Sequence, residues 1–145
     1  MFSHSPCTIG ADPELFLQDY SGKFISAIGK FGGTKTHPKP LGRIKGLMVQ
    51  EDNVAVEFNI PPHKSLTKFR GYIQRALELL EQKAHKLQLK LAIVPSAEFD
   101  EDQLTHQNAK QFGCNTDFNV WTLKPNPRPK AEKINLRSAG GHLHF

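Results

Sequence analysis

Between Ser65 and about Gln88, the residues Phe69, Ile73, Ala76, Leu77, Leu80, Ala84 and Leu87 recur at three- and four-residue steps. This spacing gathers apolar side chains on one face of an α-helix. Ser65 is suited to cap its start, and Lys64, Lys68, Arg70, Arg75, Glu78, Glu81, Lys83 and Lys86 suit the solvent side. An amphipathic helix draws most of its stability from the surface that covers its stripe. The rest of the chain must therefore offer a complementary apolar face. At 145 residues the chain is long enough for one domain with a real core and too short for two comfortable ones, so residues 1–145 are read as a single domain.

The complementary face lies in stretches whose side chains alternate, as they do along a strand. Read this way, Gly10–Asp19 puts Asp12, Glu14, Phe16 and Gln18 on one side and Ala11, Leu15 and Leu17 on the other. In Val54–Asn59, the residues Val54, Val56 and Phe58 share one face, while Glu57 and Asn59 share the opposite one. The stretch Gly140–Phe145 repeats the pattern, with His142 and His144 opposed to Leu143 and Phe145. One Asp-x-Glu pair alone reads as the solvated face of an edge strand, and one His-x-His is more often structural than a zinc site. Three such faces carrying Asp, Glu, Glu, Asn, His and His, where Thr, Ser, Lys and Gln would be ordinary, point to one shared site. Carboxylate oxygens on rigid strands suit hard divalent cations such as Mg²⁺. The expected architecture is α+β. A curved antiparallel sheet packs its apolar face on the helix, through Leu15, Leu17, Val56 and Phe58, and leaves the polar face open for a ligand.

Between these strands, Ser21-Gly22-Lys23 reads as a tight turn and Phe24–Ile28 as a returning strand. The Gly- and Pro-rich segment Gly29–Gly46 reads as a long mobile loop. Leu47–Gln50 and Val54–Ile60 form a second hairpin that turns at Asp52-Asn53 and ends at Pro61-Pro62. Leu89–Val94 is a further strand. Glu98, Asp100, Glu101 and Asp102 suit a solvated turn and helix start rather than a metal site. Phe112–Trp121 reads as an aromatic-rich loop leading into a strand, with Cys114 packed rather than nucleophilic.

At 38% hydrophobic and 23% charged residues, the composition is that of a globular chain and excludes a disordered one. No apolar run is long enough to span a bilayer, Met1–Pro6 lacks the pattern of an export signal, and the two cysteines lack Cys-x-x-Cys spacing. A reducing cytoplasm with free thiols is the expectation. The formal charge of +5 sits in loops, with Lys30, Lys35, Lys39, Arg43 and Lys45 in one and Lys124, Arg128, Lys130 and Lys133 in the other. Neither loop is a basic helix or a zinc finger. The charge could serve a nucleotide triphosphate, an anionic substrate or a nucleic acid.

Gly10-Ala11-Asp12-Pro13-Glu14-Leu15-Phe16-Leu17 resembles the Gly-x-Glu-Pro-Glu-Phe-Phe-Leu strand of glutamine synthetases, and Gly140-Gly141-His142-Leu143-His144 resembles their Gly-x-His-x-His strand. With Gln50-Glu51-Asp52-Asn53 through Glu57-Phe58-Asn59, and Phe112-Gly113-Cys114 through Trp121, the chain is similar from residue 9 to residue 145 to the phage-type carboxylate-amine ligases, amidoligases of glutamine-synthetase-like fold. That resemblance implies an ATP- and Mg²⁺- or Mn²⁺-dependent ligase that forms an amide through an acyl phosphate. Its substrates would be a small-molecule or peptide carboxylate and an amine. It assigns metal-holding roles to Asp12, Glu14, Glu57 and His142, with Glu14 and Glu57 as the principal catalytic carboxylates. Asn59, Arg137 and His144 would assist with the nucleotide. If the gene is a phage's, the host cytoplasm is the expected location.

The chain departs from the family pattern in two ways. Asp12 stands where the synthetase strand has Glu, which shortens its reach by one methylene. The family's domain also continues past the His strand, so the chain is expected to be the N-terminal part of a longer catalytic domain. The alternative from another class is a noncatalytic phage module that keeps the fold to bind a nucleotide or nucleic acid through the two basic loops. Membrane association is not expected.

Overall fold

The nine-residue strand β6 (Ala55–His63) is the spine of the sheet in the computed structural model, which describes residues 7–112 and 116–145. On one flank it pairs with β5 (Met48–Asp52), in the register Met48 to Asn59 through Asp52 to Ala55. On the other flank it pairs with two short strands laid end to end, β1 (Ile9–Ala11) and β2 (Glu14–Gln18). The Gly10–Asp19 stretch, expected as one strand, is thus interrupted at Asp12-Pro13, where proline cannot donate a ladder hydrogen bond; its carbonyl instead accepts from the Phe58 N–H at 3.1 Å. Strands β3 (Phe24–Ile25) and β7 (Lys90–Ala92) pair with β2, β4 (Lys39–Pro40) pairs with β5, and β10 (Leu143–His144) pairs with β1. All these pairings are antiparallel. Strands β8 (Ser96–Glu98) and β9 (Leu136–Ser138) form a separate two-stranded sheet.

One long helix, α1 (Leu66–Lys86), covers one face of the large sheet. Ser65 caps it by accepting the Lys68 N–H, and Lys83, His85 and Lys86 lie in its last turn, where positive charge favours the helix dipole. Ala76, Leu80 and Ala84 are its fully buried positions, packed with Leu15, Leu17, Val49, Val56, Phe58 and Ile60. The expected α+β layering and the expected apolar sheet face are both present. Leu77, Phe69 and Ile73 are only half-buried at the margin of this core.

Four sequence expectations are corrected. The β5–β6 hairpin turns at Asn53-Val54, not Asp52-Asn53: Asn53 takes the left-handed conformation, φ 54°, that a two-residue hairpin turn favours. Val54 consequently leaves the helix-facing set and packs on the other side, with Phe16. Pro61-Pro62 does not end β6, because that part of the strand has lost β5 as a neighbour and pairs only with β1, across an irregular register. The face opposite the helix is not wholly open. Phe16 is fully buried there, edge-on to Phe99 at 5.4 Å, in a second core with Ala97, Leu104, Ala109 and Ala139.

The Gly29–Gly46 segment also differs from a free loop. Glu51 accepts hydrogen bonds from the N–H groups of Gly29 (2.8 Å), Phe31 (2.8 Å) and Gly32 (2.5 Å), and Phe31 and Leu41 enter the helix-side core. Of the acidic group read as a solvated turn and helix start, Glu98 instead ends β8, while Lys23 bridges Asp100 and Asp102 at the start of a 3-10 turn. After Asp117 there is an isolated bridge between Phe118 and Pro125 rather than a strand. Met1–Pro6 and Gly113–Asn115 lie outside the described residues, and the expectation for Cys114 lies there with them.

Candidate metal centre

The antiparallel register places Glu14, the first residue of β2, directly across from Glu57 on β6, and places Gln50 of β5 across from Glu57 on the other flank. Asp52 lies two residues beyond Gln50 and so points to the same face. The result is a row of carboxylates from three adjacent strands. Glu14, Asp52 and Glu57 each offer an oxygen, and these oxygens lie within 4.8 Å of one another. Among the described residues no other group of three or more His, Cys, Asp or Glu side chains meets so closely.

Each carboxylate is held from outside the row. Gln50, itself buried, donates from Nε2 to Glu57 Oε2 at 2.8 Å, and Asn59 donates in turn to Gln50 Oε1 at 3.5 Å. Glu14 Oε2 accepts the Gly140 N–H at 2.9 Å, which ties β2 to the chain just ahead of β10. Lys35 Nζ approaches Asp52 Oδ2 at 3.4 Å. Burial pushes the pKa of Glu14 above the ordinary carboxylate range, and the charge of Asp52 adds to this, while the Gly140 N–H, Lys35 and His142 oppose it. Burial also raises that of Glu57, reinforced by Asp52, Asp12 and Glu14 and opposed by the Gln50 hydrogen bond. Like charges this close, partly removed from water, are relieved by a proton or by a cation.

The donors are all oxygens, which fits a hard divalent ion such as Mg²⁺ or Mn²⁺ rather than Zn²⁺. Carboxylates already fixed by register and by neighbouring hydrogen bonds need little rearrangement to ligate one.

Of the metal ligands expected from sequence, Glu14 and Glu57 meet in this row, whereas Asp12 and His142 stand beside it. Asp12 Oδ1 accepts the His142 N–H at 2.7 Å, and its carboxylate lies 3.4 Å from His142 Nδ1 and 3.2 Å from His144 Nε2. The two histidines therefore bracket Asp12 rather than adding to the oxygen row. Asn59, expected at the nucleotide, instead orients Gln50. Arg137 departs furthest from expectation. It is buried, and its five N–H donors all go to backbone carbonyls, those of Ala109 (twice), Ala131, Ile134 and Leu136. A guanidinium has only five such donors. Arg137 braces the 109–137 region and has none left for a phosphate.

A cavity of about 240 Å³ opens beside Glu14 and Asp52, walled by Val54, Ala55, Phe112 and Pro129. Sequence reading missed Asp52 and Gln50 as site residues. The signal was present: Gln50 shares the face of Glu57 by alternation, and Asp52 joins it once the hairpin turn is placed at Asn53-Val54. No family model, no curated protein and no solved structure matches the chain.

Proposed function

We propose that this chain supplies the metal-holding carboxylates of an ATP- and Mg²⁺-dependent carboxylate-amine ligase acting through an acyl phosphate. The observation that carries the reading is the oxygen row of Glu14, Asp52 and Glu57 on three paired strands. The motif order noted above agrees with it. Glu14, Asp52 and Glu57 would hold an ion, and such an ion would supply neutralisation of triphosphate charge near the attacking carboxylate. The chain's own contribution is positional. The register fixes Glu14 against Glu57, Gln50 keeps one Glu57 oxygen turned aside, and Gly140 steadies Glu14. The adjoining cavity, with carboxylates at one end and Phe112 and Pro129 along its wall, suits an organic substrate that brings a polar end to the carboxylates. Cytoplasmic action belongs to the same reading; among the described residues no helix is long and apolar enough to cross a membrane.

The noncatalytic nucleic-acid reading draws less support. Of the five cations in the first basic loop, Lys35 is turned toward Asp52, so the loop does not present all five charges unopposed.

Hydroxylamine trapping tests the ligase reading directly. The chain is incubated with Mg²⁺, ATP and a panel of small carboxylates, and hydroxamate formation is measured. Mg²⁺-dependent hydroxamate that disappears in Glu14→Ala supports the reading. Absence of both hydroxamate and Mg²⁺-dependent ATP binding contradicts it.

A further inference from the structure

Turns that project into solvent are ordinarily polar, because nothing covers them. The turn after Asp117 is built the other way. Asn119 and Lys124 close it: the Asn119 N–H donates to the Lys124 carbonyl and the Leu123 N–H to the Asn119 carbonyl, both at 2.8 Å. The Asn119 side-chain oxygen also accepts the N–H groups of Trp121 (3.0 Å) and Thr122 (3.1 Å), and Leu123 takes the left-handed conformation at φ 53°. Below the turn Phe118 pairs with Pro125, and the Asn126 N–H donates to the Asp117 carbonyl at 2.9 Å. The hairpin is thus held by its own hydrogen bonds. Its tip presents Val120, Trp121 and Leu123 at 74%, 90% and 77% exposure, and every residue from Val120 to Lys130 is exposed, so the tip packs on neither core. From Phe118 to Ala131 the chain carries three cations, Lys124, Arg128 and Lys130, and no Asp or Glu. Arg128 ties the stem to the body by donating to the Phe112 carbonyl, while Lys124 directly follows the apolar tip.

We propose that this hairpin attaches the protein to an anionic membrane surface, inserting Val120, Trp121 and Leu123 among the lipid headgroups with Lys124 and Lys130 against the negative lipids. Shape, chemistry and charge agree on this partner. A projecting tip enters lipid without needing a matching pocket, and a turn already ordered by Asn119 loses little conformational entropy on entering. Trp favours the interface between water and hydrocarbon, Val and Leu gain by leaving water, and cations just behind them are drawn to an anionic leaflet. A single-stranded nucleic acid would use the same cations but binds by stacking on aromatic faces, and two of the three tip side chains are aliphatic. Surface attachment needs no membrane-spanning run, so the lack of one in this chain does not oppose it. It is also independent of the carboxylate row.

Trp121 is the chain's single tryptophan, so its emission reports the tip alone. The protein is mixed with vesicles of phosphatidylcholine containing phosphatidylserine, and with vesicles of phosphatidylcholine only; sedimentation and tryptophan emission are measured. Wild type should sediment with the anionic vesicles and at least about 10-fold more weakly with the neutral ones. Its emission should shift to shorter wavelength, and lipids brominated on their acyl chains should quench it. Val120→Ser with Leu123→Asn, which keeps the reporter and a residue tolerant of the left-handed turn, should weaken binding about 10-fold or more. Lys124→Gln should weaken it about 5-fold. Both variants should keep the wild-type thermal midpoint, because the tip touches neither core. No sedimentation of wild type with anionic vesicles overturns the attachment. Sedimentation with unshifted, unquenched emission overturns the role of the hairpin, and so does undiminished binding of the double variant. Quenching of Trp121 by single-stranded oligothymidylate without vesicle binding would make the partner a nucleic acid and overturn it as well.

Discussion

Glu57 and Arg137 show how the same two facts, burial and hydrogen-bond partners, separate a candidate ligand from a structural residue. Both are buried, but Glu57 has one oxygen held by Gln50 and two carboxylate neighbours, whereas Arg137 has every donor consumed. Arg137→Met should therefore cost at least about 3 kcal/mol, because buried carbonyls lose charged donors. A phosphate ligand would instead leave the thermal midpoint in place and lower nucleotide affinity alone. Glu57 and Glu14 carry a pH prediction. Their raised pKa values mean that the folded chain keeps protons which the unfolded chain releases, so stability falls as pH rises from the ordinary carboxylate range into the raised one. In metal-free buffer the thermal midpoint should drop as pH rises from the ordinary carboxylate range, and less steeply in Glu57→Gln than in wild type. Equal slopes would mean that the row is not electrostatically strained.

At the scale of elements, the helix and its sheet face were legible because each repeats its own period over many residues, 3.6 for α1 and two for β2 and β6. Depth of burial was less so. The apolar stripe alone ranks Leu77 with Leu80, but Leu80 is fully buried and Leu77 sits at the margin. Leu80→Ala should cost about 2 to 5 kcal/mol, and Leu77→Ala clearly less, as measured by urea denaturation. The hairpin turn was displaced by one residue because Asp52 and Asn53 are both good turn formers. That one-residue difference put Asp52 in the turn instead of at the end of β5, and Val54 in the strand instead of in the turn. The Gly29–Gly46 arm was misread because its glycines signal flexibility, whereas Gly33 is needed for close approach to β5. Glu51→Ala should release the arm and speed limited proteolysis within it; cleavage at the wild-type rate would mean that Glu51 does not hold it.

For the whole molecule, the sheet separates two cores, one under α1 and one around Phe16 and Phe99, and the carboxylate row lies on the second side where that core ends. The second core could not be read from sequence. It joins residues from Phe16 to Ala139 through three-residue strands and 3-10 turns, too short to show a period. The site was half legible: Glu14 and Glu57 follow from alternation, but Asp52 needs the pairing register of a third strand. Asp52 is therefore the residue on which the metal centre depends most distinctively. The deciding measurement is an Mn²⁺ titration by calorimetry of wild type, Glu14→Ala, Asp52→Ala and Glu57→Ala, with Asp12→Ala alongside. Measurable binding in wild type, lost by 10-fold or more in each of the three row variants and retained to a greater extent in Asp12→Ala, is the expected result for three direct ligands of one ion. Asp52→Ala binding Mn²⁺ as wild type does would contradict the centre described here.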